Sequence, residues 1–489
     1  MRITTAIFCL VTALAATPAA GAATTAALAF APCQIGLPGS LLHMQAECTY
    51  LSVPEDYAKP RGNHISLHIA VLRAQTANPA PDPLFFIAGG PGEGSTEAYP
   101  QEAAAFEGLR AARAIVLVDQ RGTGGSNPLA CNTATPNLAI PTKAEIAEQA
   151  AACLKRLRGN PRFYTTSVAV KDLDAVRAAL GYKEIDLYGV SYGTRVALEY
   201  LRAYPTHTRS LILDGVVPPN WNVGERAPED AQRALDGIFA RCARQPDCQR
   251  AFPHLPAAFN HLEQTLKQAP ASVTLRNPLT GAPELATLAW PTAASAIELM
   301  SYTSETAALL PLLIHQAGVE HDYAPLLANA EMVDQQVNGA VALGMHATVL
   351  CTEDVPFYPP GLTTSKEVVE SFLGTAPITA LTEICAHWPR GVMEPDFKIP
   401  VTSAKPVLLL SGADDPITPP ANAAEVARTL PNSLSIVLAG QGHGNAWRGC
   451  VPELIERFVR QASVRDLDTA CVRKIQPFPF FTSFTGPGP

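Results

Sequence analysis

Three separated stretches of this 489-residue chain hold a serine, an aspartate and a histidine in settings that suit acyl transfer. The first is "YGVSYGT", residues 188–194, where Ser191 lies between Gly189 and Gly193. An apolar run precedes it and a helix-like run follows. That is the context of a nucleophile elbow, a strand-to-helix turn too tight for flanking side chains and sharp enough to present the hydroxyl. A serine hydroxyl needs a base, and the base needs an orienting carboxylate. "LLLSGADDPITPP" places Asp414 and Asp415 in the loop after a late strand, and "IVLAGQGHGNA" places His443 between two glycines after the last strand. Of the eleven histidines, only His443 follows a strand in the order serine, acid, base. Asp415, with Pro416 fixing the loop behind it, is favoured over Asp414, which reads as a solvated neighbour. A tetrahedral intermediate also needs N–H donors. Tyr192, directly after the serine, supplies one. The loop "FFIAGGPGEGS" (85–95) supplies the other, preferably through Gly90, because its glycines let bare backbone approach a substrate. The plain alternative for that loop is an ordinary Gly-Pro turn.

The elements that must carry these residues are legible as short apolar runs. "ISLHIAVLRA" (65–74) alternates like a half-exposed strand, whereas "LFFIA" (84–88), "AIVLVD" (114–119), "IDLYG" (185–189), "LILDG" (211–215), "PVLLLSG" (406–412) and "SIVLAG" (435–440) read as buried strands. Helix-like stretches lie between them at 171–181, 194–204 and 422–430. This alternation predicts a mostly parallel sheet with helices on both faces. It stops after Asp214 and resumes at Val407. The expected organisation is therefore a core from 23–217 and 401–489, with a mainly helical insertion over 218–400. Such an insertion would lie over the carboxyl ends of the strands, where open α/β sheets bind ligands. The tail "TGPGP" (485–489) is expected to be loose.

Composition narrows the function classes. Apolar residues make up 47% of the chain, charged residues 16%, and the net charge is −8, which is globular and unsuited to nucleic acid or anionic membrane surfaces. Arg2, the run "AIFCLVTALAA" and the small residues around Ala22 read as an export signal over 1–22, too short to span a bilayer. A secreted or periplasmic protein is expected, without a membrane span. Removing Cys9 with the signal leaves ten of the eleven cysteines. Ten cysteines allow on the order of a thousand pairings. Couples of chain neighbours are the expected set: Cys33–Cys48, Cys131–Cys153, Cys242–Cys248, Cys351–Cys385 and Cys450–Cys471. No C-x-x-C or H-E-x-x-H spacing suggests a metal, and no dinucleotide fingerprint suggests a cofactor, so none is expected.

Read in order, "GGPGEGS", "VDQRGTGGSNP", "YGVSYGT", "SGADDPITPP" and "GQGHG" resemble the prolyl aminopeptidase and tripeptidyl aminopeptidase family of α/β-hydrolase serine exopeptidases. "VLCTEDVPF" and "CAHWP" are most similar to its tripeptidyl branch. The resemblance implies an α/β-hydrolase fold with a helical cap. It implies nucleophile Ser191, acid Asp415, base His443, and oxyanion donors Gly90 and Tyr192. It further implies a peptide substrate with a free N-terminus, and hence an anion to hold the ammonium group. Glu353 and Asp354 are the candidates, with Glu93 the weaker one; the alternative is that Glu353 and Asp354 brace the insertion against the core. Asp119 and Arg121 are expected to stabilise their own loop, and Trp388 to pack. Two departures stand out: Ala88 replaces the family's usual histidine, and Glu93 and Gly94 alter the loop's tail. An esterase or lipase with the same residues, and a non-catalytic binding protein on this fold, are the competing readings. A monomer is expected.

Overall fold

A computed structural model describes residues 28–131, 142–276 and 281–487. The leader expected over 1–22 lies outside the described residues. Thirteen strands follow in chain order: β1 (Ala31–Ile35), β2 (Met44–Pro54), β3 (His64–Leu72), β4 (Leu84–Ile87), β5 (Ile115–Val118), β6 (Ile185–Val190), β7 (Thr208–Asp214), β8 (Ala271–Arg276), β9 (Pro283–Leu288), β10 (Val407–Gly412), β11 (Ser433–Leu438), β12 (Phe481–Ser483) and β13 (Gly486–Pro487). Nine of them form one sheet in the order β1-β2-β3-β5-β4-β6-β7-β10-β11. From β5 to β11 every neighbouring pair is parallel, while β1, β2 and β3 join antiparallel at one edge.

The apolar runs were nearly continuous because successive side chains point to opposite faces and both faces are covered. Phe85, Ile87, Val116, Val118 and Leu409 pack into one core. Their neighbours Leu84, Phe86, Ile115, Leu117, Leu408 and Leu410 pack into the other. Helices Thr166–Ala179 and Tyr192–Ala203 lie against the first, and the amphipathic helix Val451–Gln461 against the second.

Between β7 and β10 the chain leaves the sheet and builds a separate apolar core around Leu235, Phe259, Trp290, Ile297, Leu313 and Leu327. Helices dominate, from Ala227–Arg244 to Ala376–His387. The antiparallel pair β8–β9 was not anticipated in this stretch. Nor was the end of the chain: within the tail expected to be loose, Gly486–Pro487 forms β13 and pairs with β12, and just ahead of that pair Phe480 is buried in the insertion's core. Among the described residues, each of the five expected cysteine couples forms a disulfide. Arg121 is buried and bidentate to Asp172, Asp119 gathers Thr96 and Gly125, and Trp388 is buried with its indole N–H on Thr348. Among the described residues, no helix is long and apolar enough to cross a membrane.

Candidate active site

β6 ends at Val190; Ser191 follows with φ 56° and ψ −127°, and the helix Tyr192–Ala203 starts at the next residue. A non-glycine residue in this region is strained by about 1–3 kcal/mol, so its surroundings must hold it there. The Ser191 N–H donates to Asp214 O at 2.8 Å. A Cβ on Gly189 would lie 2.3 Å from Gly193 O, and one on Gly193 would lie 2.3 Å from Ile87 O. The paired glycines are thus required by how closely β6, its helix and β4 approach one another.

Asp415 follows β10 and His443 follows β11, two strands from the serine-bearing end of β6 in the sheet and beyond. Asp415 Oδ2 accepts from His443 Nδ1 at 2.8 Å. Its Oδ1 accepts the N–H groups of Ile417 and Thr418 at 2.9 and 2.8 Å, and the Thr418 hydroxyl donates to Oδ2 at 2.8 Å. Burial raises the Asp415 carboxyl, but the charge on His443 and these hydrogen bonds outweigh it and hold it below the usual carboxylate range. Burial likewise lowers His443, yet Asp415 beside it, with Asp214 and Glu102 further off, keeps the imidazole above its ordinary value. Asp414 points elsewhere, 3.7 Å from Arg241. The His443 ring lies over Gly215, where a Cβ would meet its Cε1 at 2.8 Å. Gly215 follows the residue whose carbonyl holds Ser191. Among the described hydrogen bonds, none ends on Ser191 Oγ or His443 Nε2; in unliganded sites such bonds commonly tighten only when substrate arrives.

The N–H of Tyr192 opens its helix and has no intrahelical acceptor. Gly90, with φ 100°, donates its N–H to no described partner. The insertion pins this loop: Ala342 N–H donates to Gly92 O at 2.9 Å, and His346 Nδ1 lies 3.0 Å from Pro91 O. The three other candidate residues divide. Asp354 is buried, 3.0 and 3.1 Å from Arg195 Nη1, and accepts the Val223 N–H. Glu353 accepts both donors of Thr166 at 2.8 Å and lies 3.8 Å from Arg195. Asp354 therefore ties the insertion to the helix Tyr192–Ala203, and Glu353 ties it chiefly to the start of the helix Thr166–Ala179. Glu93 is different. It is half-buried, and its Oε2 accepts the Gly89 N–H at 3.3 Å. A Cβ on Gly89 would lie 3.1 Å from Ser191 Cβ and 3.6 Å from Glu93 Oε2, so serine and carboxylate flank one small space. Burial pushes Glu93 up, and the Gly89 N–H and His443 only partly offset this.

Sequence reasoning missed three further supports. Thr418 was visible as a threonine three residues after the aspartate, a local turn pattern. Tyr302, from the insertion, accepts the His443 N–H on its carbonyl and sets its ring edge-on to the imidazole at 5.4 Å; no sequence signal pointed to it. Asp214 Oδ2 accepts the N–H groups of Asn445 and Ala446 at 2.7 and 2.8 Å, which fixes the loop behind His443. The Tyr188 hydroxyl lies 3.1 Å from that same oxygen and 2.8 Å from Glu102 Oε2. One phenolic proton cannot serve two carboxylates, which agrees with burial pushing Glu102 up to about 8.

A family model described as alpha/beta hydrolase fold matches residues 82–449. The serine protease Hip1 of Mycobacterium tuberculosis is 25% identical over 483 residues, covering 87% of this chain and 86% of its own. The tripeptidyl aminopeptidase of Streptomyces lividans is 32% identical over 193 residues, 36% of each chain. Carboxylesterase B of Mycobacterium tuberculosis is 27% identical over 465 residues, covering 87% of this chain and 86% of its own.

Proposed function

Because the chain belongs to the alpha/beta hydrolase fold family, we propose that it is a serine peptidase that releases one or a few residues from the free N-terminus of peptides. Ser191 Oγ attacks the scissile carbonyl while His443 Nε2 takes its proton. Asp415 holds Nδ1–H and stabilises the imidazolium that forms. The N–H groups of Gly90 and Tyr192 receive the oxyanion. His443 then returns the proton to the leaving amine, and water repeats the cycle on the acyl-enzyme. The observation that carries this reading is the 2.8 Å Asp415–His443 pair set over Gly215, beside a serine held at positive φ. The relatives named serine protease and tripeptidyl aminopeptidase support amide cleavage. Five disulfides support work in an oxidising compartment outside the cytoplasm.

A second reading, carboxylesterase, is favoured by the relative of that name. One comparison separates the two. A fluorophosphonate probe should label wild type and not Ser191→Ala, and wild type should cleave unblocked peptidyl nitroanilides. Labelling with turnover of nitrophenyl esters alone would select the esterase. No labelling of Ser191 would remove both readings and leave a binding protein.

A further inference from the structure

We propose that Glu93 anchors the α-ammonium group of the substrate and so sets the enzyme to remove a single N-terminal residue. This rests on the peptidase reading above and sharpens it.

The carboxylate and the serine border the same space, and both keep partial exposure to it. Glu93 has no cationic side chain of its own. Its side chain accepts only the Gly89 N–H among the described hydrogen bonds, and it takes part in no described ion pair. The groups that feel its charge are His443, which must be neutral to act as base, and two more acids, Glu97 and Glu102. An unpaired negative charge here opposes the oxyanion that Gly90 and Tyr192 are placed to receive, since the same electrostatics that stabilise the intermediate penalise a like charge nearby. A cation brought by the substrate removes that conflict. In an aminoacyl substrate the ammonium is bonded to the carbon next to the attacked carbonyl, which places it in the space shared by Ser191 and Glu93. Two more residues ahead of the scissile bond would carry the ammonium about 7 Å further away, beyond this carboxylate. Glu353 and Asp354 offer no competing anchor, because Arg195 and Thr166 already occupy them.

The test compares wild type with Glu93→Gln on free and N-acetylated aminoacyl nitroanilides, free tripeptidyl nitroanilides, and free and N-acetylated aminoacyl nitrophenyl esters. Wild type should prefer the free aminoacyl substrate over its acetylated form by at least about tenfold in kcat/KM, the worth of one shielded charge pair. Glutamine keeps the size and the acceptor for Gly89 N–H but not the charge, so it should collapse that ratio towards one. A ratio unchanged in Glu93→Gln overturns the assignment, as does a wild-type preference for tripeptidyl over aminoacyl substrates. If wild type cleaves no nitroanilide, the peptidase reading falls; the ester pair then still decides Glu93, because a free-amine preference lost in the variant upholds the anchor and an absent preference overturns it.

Discussion

In the proposed mechanism His443 accepts a proton from Ser191 only when neutral, and Asp415 beside it keeps it charged to higher pH than an ordinary imidazole. The acid limb of kcat/KM should therefore lie above the unperturbed histidine value of about 6.5. In Asp415→Asn that limb should move to lower pH, while the plateau falls by about 10⁴-fold as the imidazole loses its orienting partner. A pH–rate profile of both proteins checks the two effects together; an unmoved limb would mean that another group titrates. The residues in this scheme were legible to unequal degrees. Ser191, Asp415 and His443 sit in local turn chemistry, which a sequence spells out. Tyr302 acts through its backbone across a contact between segments far apart in the chain, and nothing in its own neighbourhood marks it. Glu353 and Asp354 were singled out as candidate anchors for an ammonium group, with bracing of the insertion as the alternative; their partner Arg195 lies on the helix Tyr192–Ala203, and pairing at that distance leaves no local trace.

The close approach of β6, its helix and β4 makes the element geometry testable. Gly193→Ala would press a methyl group against Ile87 O, costing about 1–3 kcal/mol of stability. It would also shift the turn that presents Ser191, so both Tm and probe labelling should fall; full labelling at an unchanged Tm would contradict the tight packing. Central strands were readable because both faces are buried, which leaves an uninterrupted apolar signal. β1 and β2 were missed for the opposite reason: at the antiparallel edge they are half-exposed, and Pro32 and Glu47 dilute their pattern. The helix Thr166–Ala179 was read as starting at 171, because Thr166, Val168 and Val170 look extended when taken alone. The short pair β8–β9 was lost among the helices around it.

Across the whole molecule, several acids are buried without full compensation. Burial pushes Asp214 up to about 6, Glu298 and Glu353 to about 7 and Glu102 to about 8. The folded protein thus retains protons that the unfolded chain releases near its ordinary carboxylate values of about 4. Stability should fall as pH rises from there through about 8, since the native state binds more protons across that window. His443, also raised, acts in the same direction, while Asp415, lowered, acts only at more acid pH. Tm measured from pH 5 to 8 should decline; a rise would mean that these acids are ionised and compensated in the fold. The insertion's core raises a separate issue of timing. Phe480 is buried there, Arg241 stacks on its ring, and Phe481 N–H reaches Ala308 O, although these two phenylalanines come after the whole last part of the sheet. A chain emerging amino end first delivers the insertion long before it delivers them. Until then the insertion's apolar core lacks these two side chains, so it can close in full only after every strand of the large sheet has been made.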